Sequence, residues 1–166
     1  MTARRRGAML VITLFLAVLF LILGMGFLTQ RVTQYRGSFR AAEAVQALAC
    51  ARAGLEDVRT KLNVDYNFPP PGADDQPVFS YCEVLTDLAS NTPVGSYTVS
   101  IDTTYRQAPY SLLRITIVGQ AGDPTEPVAR RKLYAELDIS PTLRDDPTTA
   151  NLEFFNFIQV VDLGNL

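Results

Sequence analysis

Residues 8–62 of the chain follow two hydrophobic patterns in succession. Residues 8–28 carry no charged side chain, and Thr13 is their only polar one. As a helix this segment is about 30 Å long, which matches the hydrocarbon core of a bilayer. Farther along, apolar side chains recur at alternating steps of three and four residues, which predicts a helix with one apolar face. These positions are Ala41, Ala44, Leu48, Ala51, Leu55, Val58 and Leu62.

The two patterns join without a break, so we expect one helix from about residue 8 to residue 62. Its first part, residues 8–28, is apolar all round, as lipid or a filament core requires. Its second part, residues 29–62, is apolar on one side and suits packing against the protein's own domain. We expect packing of this part on a sheet through Leu48, Leu55, Val58 and Leu62. A coiled coil is the alternative, but the stripe covers only about three heptads and is rich in alanine.

Three segments with alternating apolar and polar residues predict strands. They are residues 95–105, 112–120 and 129–140. Gln107-Ala108-Pro109 and Gly122-Asp123-Pro124 separate them, and such short connections indicate antiparallel neighbours. One apolar and one polar face means a sheet that is covered on one side. We therefore predict an α+β fold, in which the long N-terminal helix packs on a small antiparallel sheet of three to four strands at residues 95–140.

Two regions flanking the predicted sheet are harder to assign. Residues 63–94 form a connecting region, since the prolines at 69–71 cannot continue a helix, and we expect a short, half-helical element at 78–89. Asp65, Asp74 and Asp75 lie in this region and could offer oxygen ligands to calcium. Without EF-hand spacing a solvated loop is favoured and no metal is predicted.

The C-terminal tail, residues 141–166, contains a run at 152–161 that is apolar on both possible faces. Such a run is either a fourth strand within the sheet or an exposed surface that binds another protein, because a large uncovered apolar patch usually marks an interface. The pattern by itself leaves both alternatives open.

The composition argues against an enzyme and against a cofactor. The chain has no histidine, which removes the usual proton shuttle and most zinc sites. Its two cysteines, Cys50 and Cys82, cannot build a metal cluster by themselves. Outside the cytoplasm they could form a disulfide that contributes about 3–4 kcal/mol, or they could remain two buried thiols.

The charge of the chain argues against binding to nucleic acid. The net charge is −2, and removing Arg4, Arg5 and Arg6 lowers the 15 basic side chains to 12 against 17 acidic ones. A nucleic-acid interface needs a basic face. An acidic surface of this kind is usually just solvated.

The basic residues and the apolar run at the N-terminus permit three interpretations. A secretory signal has an apolar region of roughly 7–15 residues and a small-x-small cleavage site, whereas this run is longer and is followed by Thr29-Gln30-Arg31. A simple membrane anchor fits the length. Three arginines lie on each side of the run, however, so the positive-inside count is a tie. The third interpretation is a prepilin leader, because Gly7 lies directly between the arginines and the apolar run.

Two motifs support the third interpretation, and they resemble the N-terminal region of PilX-type minor pilins and of the related K-type minor pseudopilins of secretion systems. The motifs are Arg4-Arg5-Arg6-Gly7-Ala8-Met9-Leu10-Val11-Ile12 and Phe39-Arg40-Ala41-Ala42-Glu43-Ala44. The resemblance covers about residues 4–60. It implies a pilin-like fold with a leader, residues 1–7, that a prepilin peptidase removes between Gly7 and Ala8. It further implies a single pass through the cytoplasmic membrane, with the domain outside, and assembly with other pilin or pseudopilin subunits.

One residue departs from the pattern of most pilins. They carry a glutamate at the fifth mature position, and that position here is Ile12. A carboxylate in lipid is costly unless it has a partner, so its absence removes a docking contact. K-type pseudopilins also lack it, which implies a position at the filament tip or a role as initiator. The alternative function is a single-pass envelope protein with a small ligand- or partner-binding β domain and no filament.

Overall fold

The computed structural model describes residues 3–70 and 77–165, with side chains from Met9 onward. One helix, α1 (Ala3–Val64), precedes five strands. The strands are β1 (Val78–Thr86), β2 (Pro93–Asp102), β3 (Leu112–Gly122), β4 (Pro127–Asp138) and β5 (Phe157–Asn165). The chain divides into two compact units, Met1–Ala41 and Ala42–Leu166.

The five strands form one antiparallel sheet in the order β1-β2-β3-β4-β5. Part of α1 packs on this sheet, so the predicted α+β fold is confirmed. The sheet has one strand more than the upper limit of the prediction. Short hairpins connect β1 to β2 and β3 to β4, which is why neighbours in sequence are also neighbours in the sheet.

The extra strand is β1, and the expectation of a half-helical element at 78–89 is wrong. The side chains of Tyr81 and Glu83 point toward α1, where they bond to residues of the helix. A charged residue at an inward position breaks the alternation that a half-buried strand normally shows. Glu83 is tolerated there because it has a cationic partner on the helix, which only the folded chain supplies.

The last strand, β5, begins at Phe157 and not at residue 152. Residues 152–155 form turns, and Phe155 has a left-handed backbone with φ of 60°. A buried carboxylate organises the preceding connection: Asp138 is 3% exposed and accepts hydrogen bonds from Arg144 at 3.0 Å and Asn151 at 3.2 Å. Long-range bonds of this kind set where the strand starts, so local pattern could not locate it.

The core lies between the second half of α1 and one face of the sheet. The helix contributes Ala51, Leu55, Val58 and Leu62, and Leu48 packs against their cluster while partly exposed. All four residues expected to pack on the sheet therefore lie in or against the core. The sheet contributes buried apolar side chains from its three central strands, namely Tyr97, Val99, Ile101, Leu113, Ile115, Ile117, Leu133, Ala135 and Leu137.

Glycines allow the helix backbone to approach the sheet closely. A Cβ on Gly119 would lie 2.2 Å from the carbonyl oxygen of Ala47 and 2.4 Å from the amide nitrogen of Ala51. A Cβ on Gly95 would lie 2.6 Å from the Cys50 sulfur. Backbone atoms therefore occupy the space that a side chain would need. Small residues on α1 and on β2 and β3 set the distance between helix and sheet.

A polar cluster ties β1 to the helix on one side of the core. Lys61 forms ion pairs with Asp57 at 2.7 Å and with Glu83. The hydroxyl of Tyr81 donates to Asp57 at 2.7 Å, and that of Tyr97 donates to Glu83 at 2.9 Å. Burial, together with these carboxylate partners, raises the pKa of Tyr81 and Tyr97 well above the usual tyrosine range.

The disulfide between Cys50 and Cys82 is not formed, and both residues are free thiols. Cys50 is buried on α1, whereas Cys82 is exposed. Neighbouring residues of a strand point to opposite faces. Because Tyr81 faces the helix, Cys82 faces the far side of the sheet, and the sheet separates the two sulfurs.

Replacing Gly119 by alanine tests the close approach of helix and sheet. Overpacking of this kind usually lowers the free energy of unfolding by about 1–3 kcal/mol. We expect Gly119→Ala to lie at the upper end of this range, because the obstructing atoms belong to the backbone. Chemical unfolding of the full chain in detergent, followed by near-UV circular dichroism of its seven tyrosines, measures this. Gly37→Ala is the matched control, since nothing lies within 4 Å of its added Cβ. Equal stability of the two variants would contradict the close approach.

The tyrosine pair predicts a loss of stability at alkaline pH. Tyrosines of the unfolded chain lose their protons near pH 10, while the raised pKa values keep Tyr81 and Tyr97 protonated in the folded protein. Stability is therefore fully present below about pH 10 and falls as the pH rises beyond it. We expect the double variant Tyr81→Phe/Tyr97→Phe to flatten this decline, measured by denaturant midpoints across the pH range.

Two details make the alkaline experiment interpretable. Even in the double variant, Lys61 makes stability depend on pH in the alkaline range. Burial lowers the pKa of Lys61, but hydrogen bonds to Asp57 and Glu83 raise it by more. Tyr110→Phe is the control variant, since this tyrosine is 55% exposed. A double variant with the same slope as this control would show that the two tyrosines do not drive the alkaline loss.

Candidate membrane and assembly surface

The main candidate site is the exposed apolar surface of α1 in the unit Met1–Ala41. Every residue from Met9 to Leu28 is exposed. This part of the helix is long and apolar enough to cross a membrane, and none of it is buried within the structure. Its large side chains point in all directions around the axis, so no single face marks a partner. Such a surface is stable only in lipid or among other apolar helices.

The hydroxyl groups in and after this segment already have partners within the helix. Thr13 donates to the carbonyl oxygen of Leu10 at 2.9 Å, and Thr29 donates to that of Met25 at 2.9 Å. A hydroxyl that bonds to the preceding turn adds little cost in an apolar medium, because its hydrogen bond survives the loss of water. The one polar residue of 8–28 is therefore compatible with lipid on all sides.

The residues that the pilin resemblance singles out lie at the start of this surface. The backbone of Gly7 and Ala8 is helical, and the described side chains begin at Met9. Ile12 is 58% exposed on the apolar surface. The first acidic residue of the chain is Glu43, so no carboxylate lies near Ile12 in the sequence.

A second exposed apolar surface follows the edge strand β5. Ile158, Val160 and Leu163 are each about half exposed, at 52%, 50% and 54%. Val160 pairs with the buried Ala135 on the helix side of the sheet and is nevertheless half exposed. The core therefore covers Phe157 at the start of β5 in part and leaves Val160 uncovered. The strand alternative is therefore confirmed for residues 157–161 of the C-terminal run. The run also exposes apolar side chains, and binding to another protein stays a prediction.

An ion pair secures the end of β5. Arg131 on β4 donates to Asp162 at 2.9 and 2.7 Å and to Asn165 at 2.9 Å. The hydrogen bonds from Arg131, assisted by the Gly164 amide, lower the pKa of Asp162. This exposed pair holds the last residues of the strand on the sheet, although surface pairs of this kind contribute little stability.

The described residues contain no group of three or more potential ligands that could hold a metal ion. Asp65 accepts a hydrogen bond from the Asn67 amide at 2.9 Å and caps a turn. Asp74 and Asp75, the other two candidates for oxygen ligands, lie outside the described residues.

Comparison with protein-family models, with curated proteins and with solved structures found no match. The fold and the two apolar surfaces are therefore the basis for any functional argument. The resemblance of residues 4–60 to minor pilins stays a prediction from the sequence.

Proposed function

We propose that this protein is a structural subunit of the minor pilin or pseudopilin type, assembled into a pilus or a secretion filament. The observation that carries the proposal is the continuity of α1. A bilayer-length apolar segment and the segment that builds the domain core belong to one helix, Ala3–Val64, with no linker between them. A simple membrane anchor does not need a helix that continues into its domain. In a filament subunit, such a helix means that packing of the apolar segment also positions the domain.

Packing of apolar helices is the proposed mechanism. The segment at residues 9–28 rests in lipid before assembly and moves into a bundle of similar helices afterwards. Lipid and such a bundle are comparably apolar, so the transfer is nearly balanced in free energy, and shape selects the partners. The all-round exposure of this segment and the internally bonded Thr13 are suited to both surroundings.

Ile12 supports a place at the filament tip or a role as initiator. An isoleucine cannot make the charged contact that a glutamate at the fifth mature position would offer to the next subunit's amine. A subunit without this contact is suited to the end of the filament, where no subunit lies above it. No side chain in the described part is needed for catalysis under this proposal, and no cofactor is required.

Processing at Gly7 tests the proposal directly. We expect intact mass measurement and N-terminal sequencing of the protein from membranes to show a chain that begins at Ala8. Gly7→Val should leave the chain uncut, because Gly7 is the residue that the pilin resemblance places directly before the cut. Gly24→Val, which places the same change inside the apolar segment, should be processed normally.

A mature chain that still begins at Met1 would contradict the proposal. It would favour a single-pass envelope protein that carries its β domain without a filament. If Gly7→Val and the parent were cut alike, the cleaving enzyme would not be a prepilin peptidase of the expected specificity.

The tip position has a separate test. Affinity labelling of this subunit in intact filaments should place the label at one end, as expected for a subunit that lacks the contact made through the fifth position. Electron microscopy of gold-labelled filaments measures this, with a major subunit carrying the same tag as the control. Label along the whole length would rule out the tip position while leaving the filament proposal intact.

A further inference from the structure

Charge is divided sharply along the chain. Residues 1–42 contain six of the 15 basic residues and no acidic one, whereas all 17 acidic residues lie from Glu43 onward. Three of the six cations precede the apolar segment, and the other three follow it. We define the collar as the three that follow it, Arg31, Arg36 and Arg40, together with the aromatic residues Tyr35 and Phe39 that lie between them.

The collar is exposed on all sides within the unit Met1–Ala41. Tyr35 and Phe39 are 66% and 53% exposed, and their ring centroids lie 4.8 Å apart. The Arg31 guanidinium lies 5.0 Å from the ring centroid of Phe27. Within residues 3–70 and 77–165 none of the three arginines has an acidic partner, so their charges are available to an external anion.

The end of the collar nearest the apolar segment lies at the depth of the headgroup layer of a bilayer. That layer extends about 5–8 Å beyond the hydrocarbon core on each side. Counting from Leu28, the Cα atoms of Arg31 and Arg36 lie about 4.5 and 12 Å farther along the axis, and that of Arg40 about 18 Å. Helical side chains lean toward the helix N-terminus, which here means back toward the apolar segment, so long arginine side chains return their guanidinium groups toward the layer.

The aromatic residues give the collar an interfacial character. Val32, Tyr35 and Phe39 continue the apolar surface from Leu28 at steps of four, three and four residues, along one face of the helix. Tyrosine, whose apolar ring ends in a hydroxyl, and arginine, whose stem is apolar, are side chains that settle at a membrane interface. Phe39 adds apolar area to them. The collar therefore combines an apolar stripe for the upper acyl region with cations for the phosphates.

We propose that the collar binds the phosphate groups of anionic phospholipids in the leaflet next to the domain. Arginine suits this partner because its planar fork can donate two hydrogen bonds to one phosphate. A second copy of the chain, with its acidic domain, is the competing partner, but the collar begins at the end of the apolar segment, where phosphates are dense. The proposal rests on the membrane insertion part of the proposed function and is independent of leader cleavage and of filaments.

Lipid selectivity of the reconstituted full chain tests the proposal. All variants carry Arg4→Gln, Arg5→Gln and Arg6→Gln, so that the cations before the apolar segment do not contribute. The chain is placed in phosphatidylcholine vesicles, and the association of spin-labelled phosphatidylglycerol is compared with that of spin-labelled phosphatidylcholine by electron paramagnetic resonance. We expect a preference for phosphatidylglycerol that weakens with added salt.

The decisive variant is Arg31→Gln/Arg36→Gln/Arg40→Gln. It should lower the preference for phosphatidylglycerol by at least about fivefold, the contribution of one basic residue near an anionic surface. Arg52→Gln/Arg59→Gln/Arg130→Gln is the matched control, because it makes the same charge change in the other unit, and it should keep the preference.

Several results would overturn the proposal. An unchanged preference in the collar variant would do so, as would an equal loss in the control variant. If the collar variant instead lost crosslinks between copies and kept its lipid preference, the acidic domain of a second copy would be the partner. Competition by inorganic phosphate beyond that of chloride at equal ionic strength would identify the free ion as ligand.

Vesicle flotation separates this proposal from the proposed function. A chain that does not float with vesicles would contradict both membrane insertion and the collar. A chain that floats and shows the lipid preference, but is never cut after Gly7, would keep the collar and reject the pilin assignment.

Discussion

One helix has to be stable in two different surroundings, and the rest of the structure depends on this constraint. From Met9 to Leu28 the side chains of α1 are apolar all round and exposed, whereas from Ala47 to Leu62 one face is buried under the sheet. No break in the backbone separates these parts. The first part is stable in lipid or among other helices, and the second part is stable against its own sheet. The hydrophobic pattern therefore changes along the sequence while the helix continues.

The contact between α1 and the sheet is built from two kinds of interaction with different tasks. Over the central strands the helix packs through small residues, and Gly119 brings the two backbones to a distance that no larger residue would allow. Over β1 the link is polar, through Lys61 and the two carboxylates that it bridges. Burial of apolar area gives the stability of the domain. The polar cluster fixes the position of the edge strand, whose own apolar contribution is small.

The two ends of the sheet differ in how they are covered. The polar cluster on α1 holds β1, while β5 is held mainly by its pairing with β4 and by the bonds between Arg131 and Asp162. An edge strand that exposes apolar side chains is a natural place for contact with another chain. Together with the first part of α1, it gives the protein two surfaces that favour association, which agrees with a structural role and requires no catalytic group.

What the sequence by itself determined are the features that depend on local periodicity. The apolar segment, the one-sided helix with Leu55, Val58 and Leu62 on its buried face, and the three central strands all follow from spacing, because side-chain direction repeats every 3.6 or 2 residues. Tertiary structure decided the features that depend on distant partners. Glu83 can point toward α1 because it forms an ion pair with Lys61. Strand β5 starts at Phe157 because hydrogen bonds to Asp138 fix the connection before it. Cys50 and Cys82 stay apart because the sheet lies between them. Each of these depends on a contact between residues far apart in the chain, which no pattern within a short window can contain.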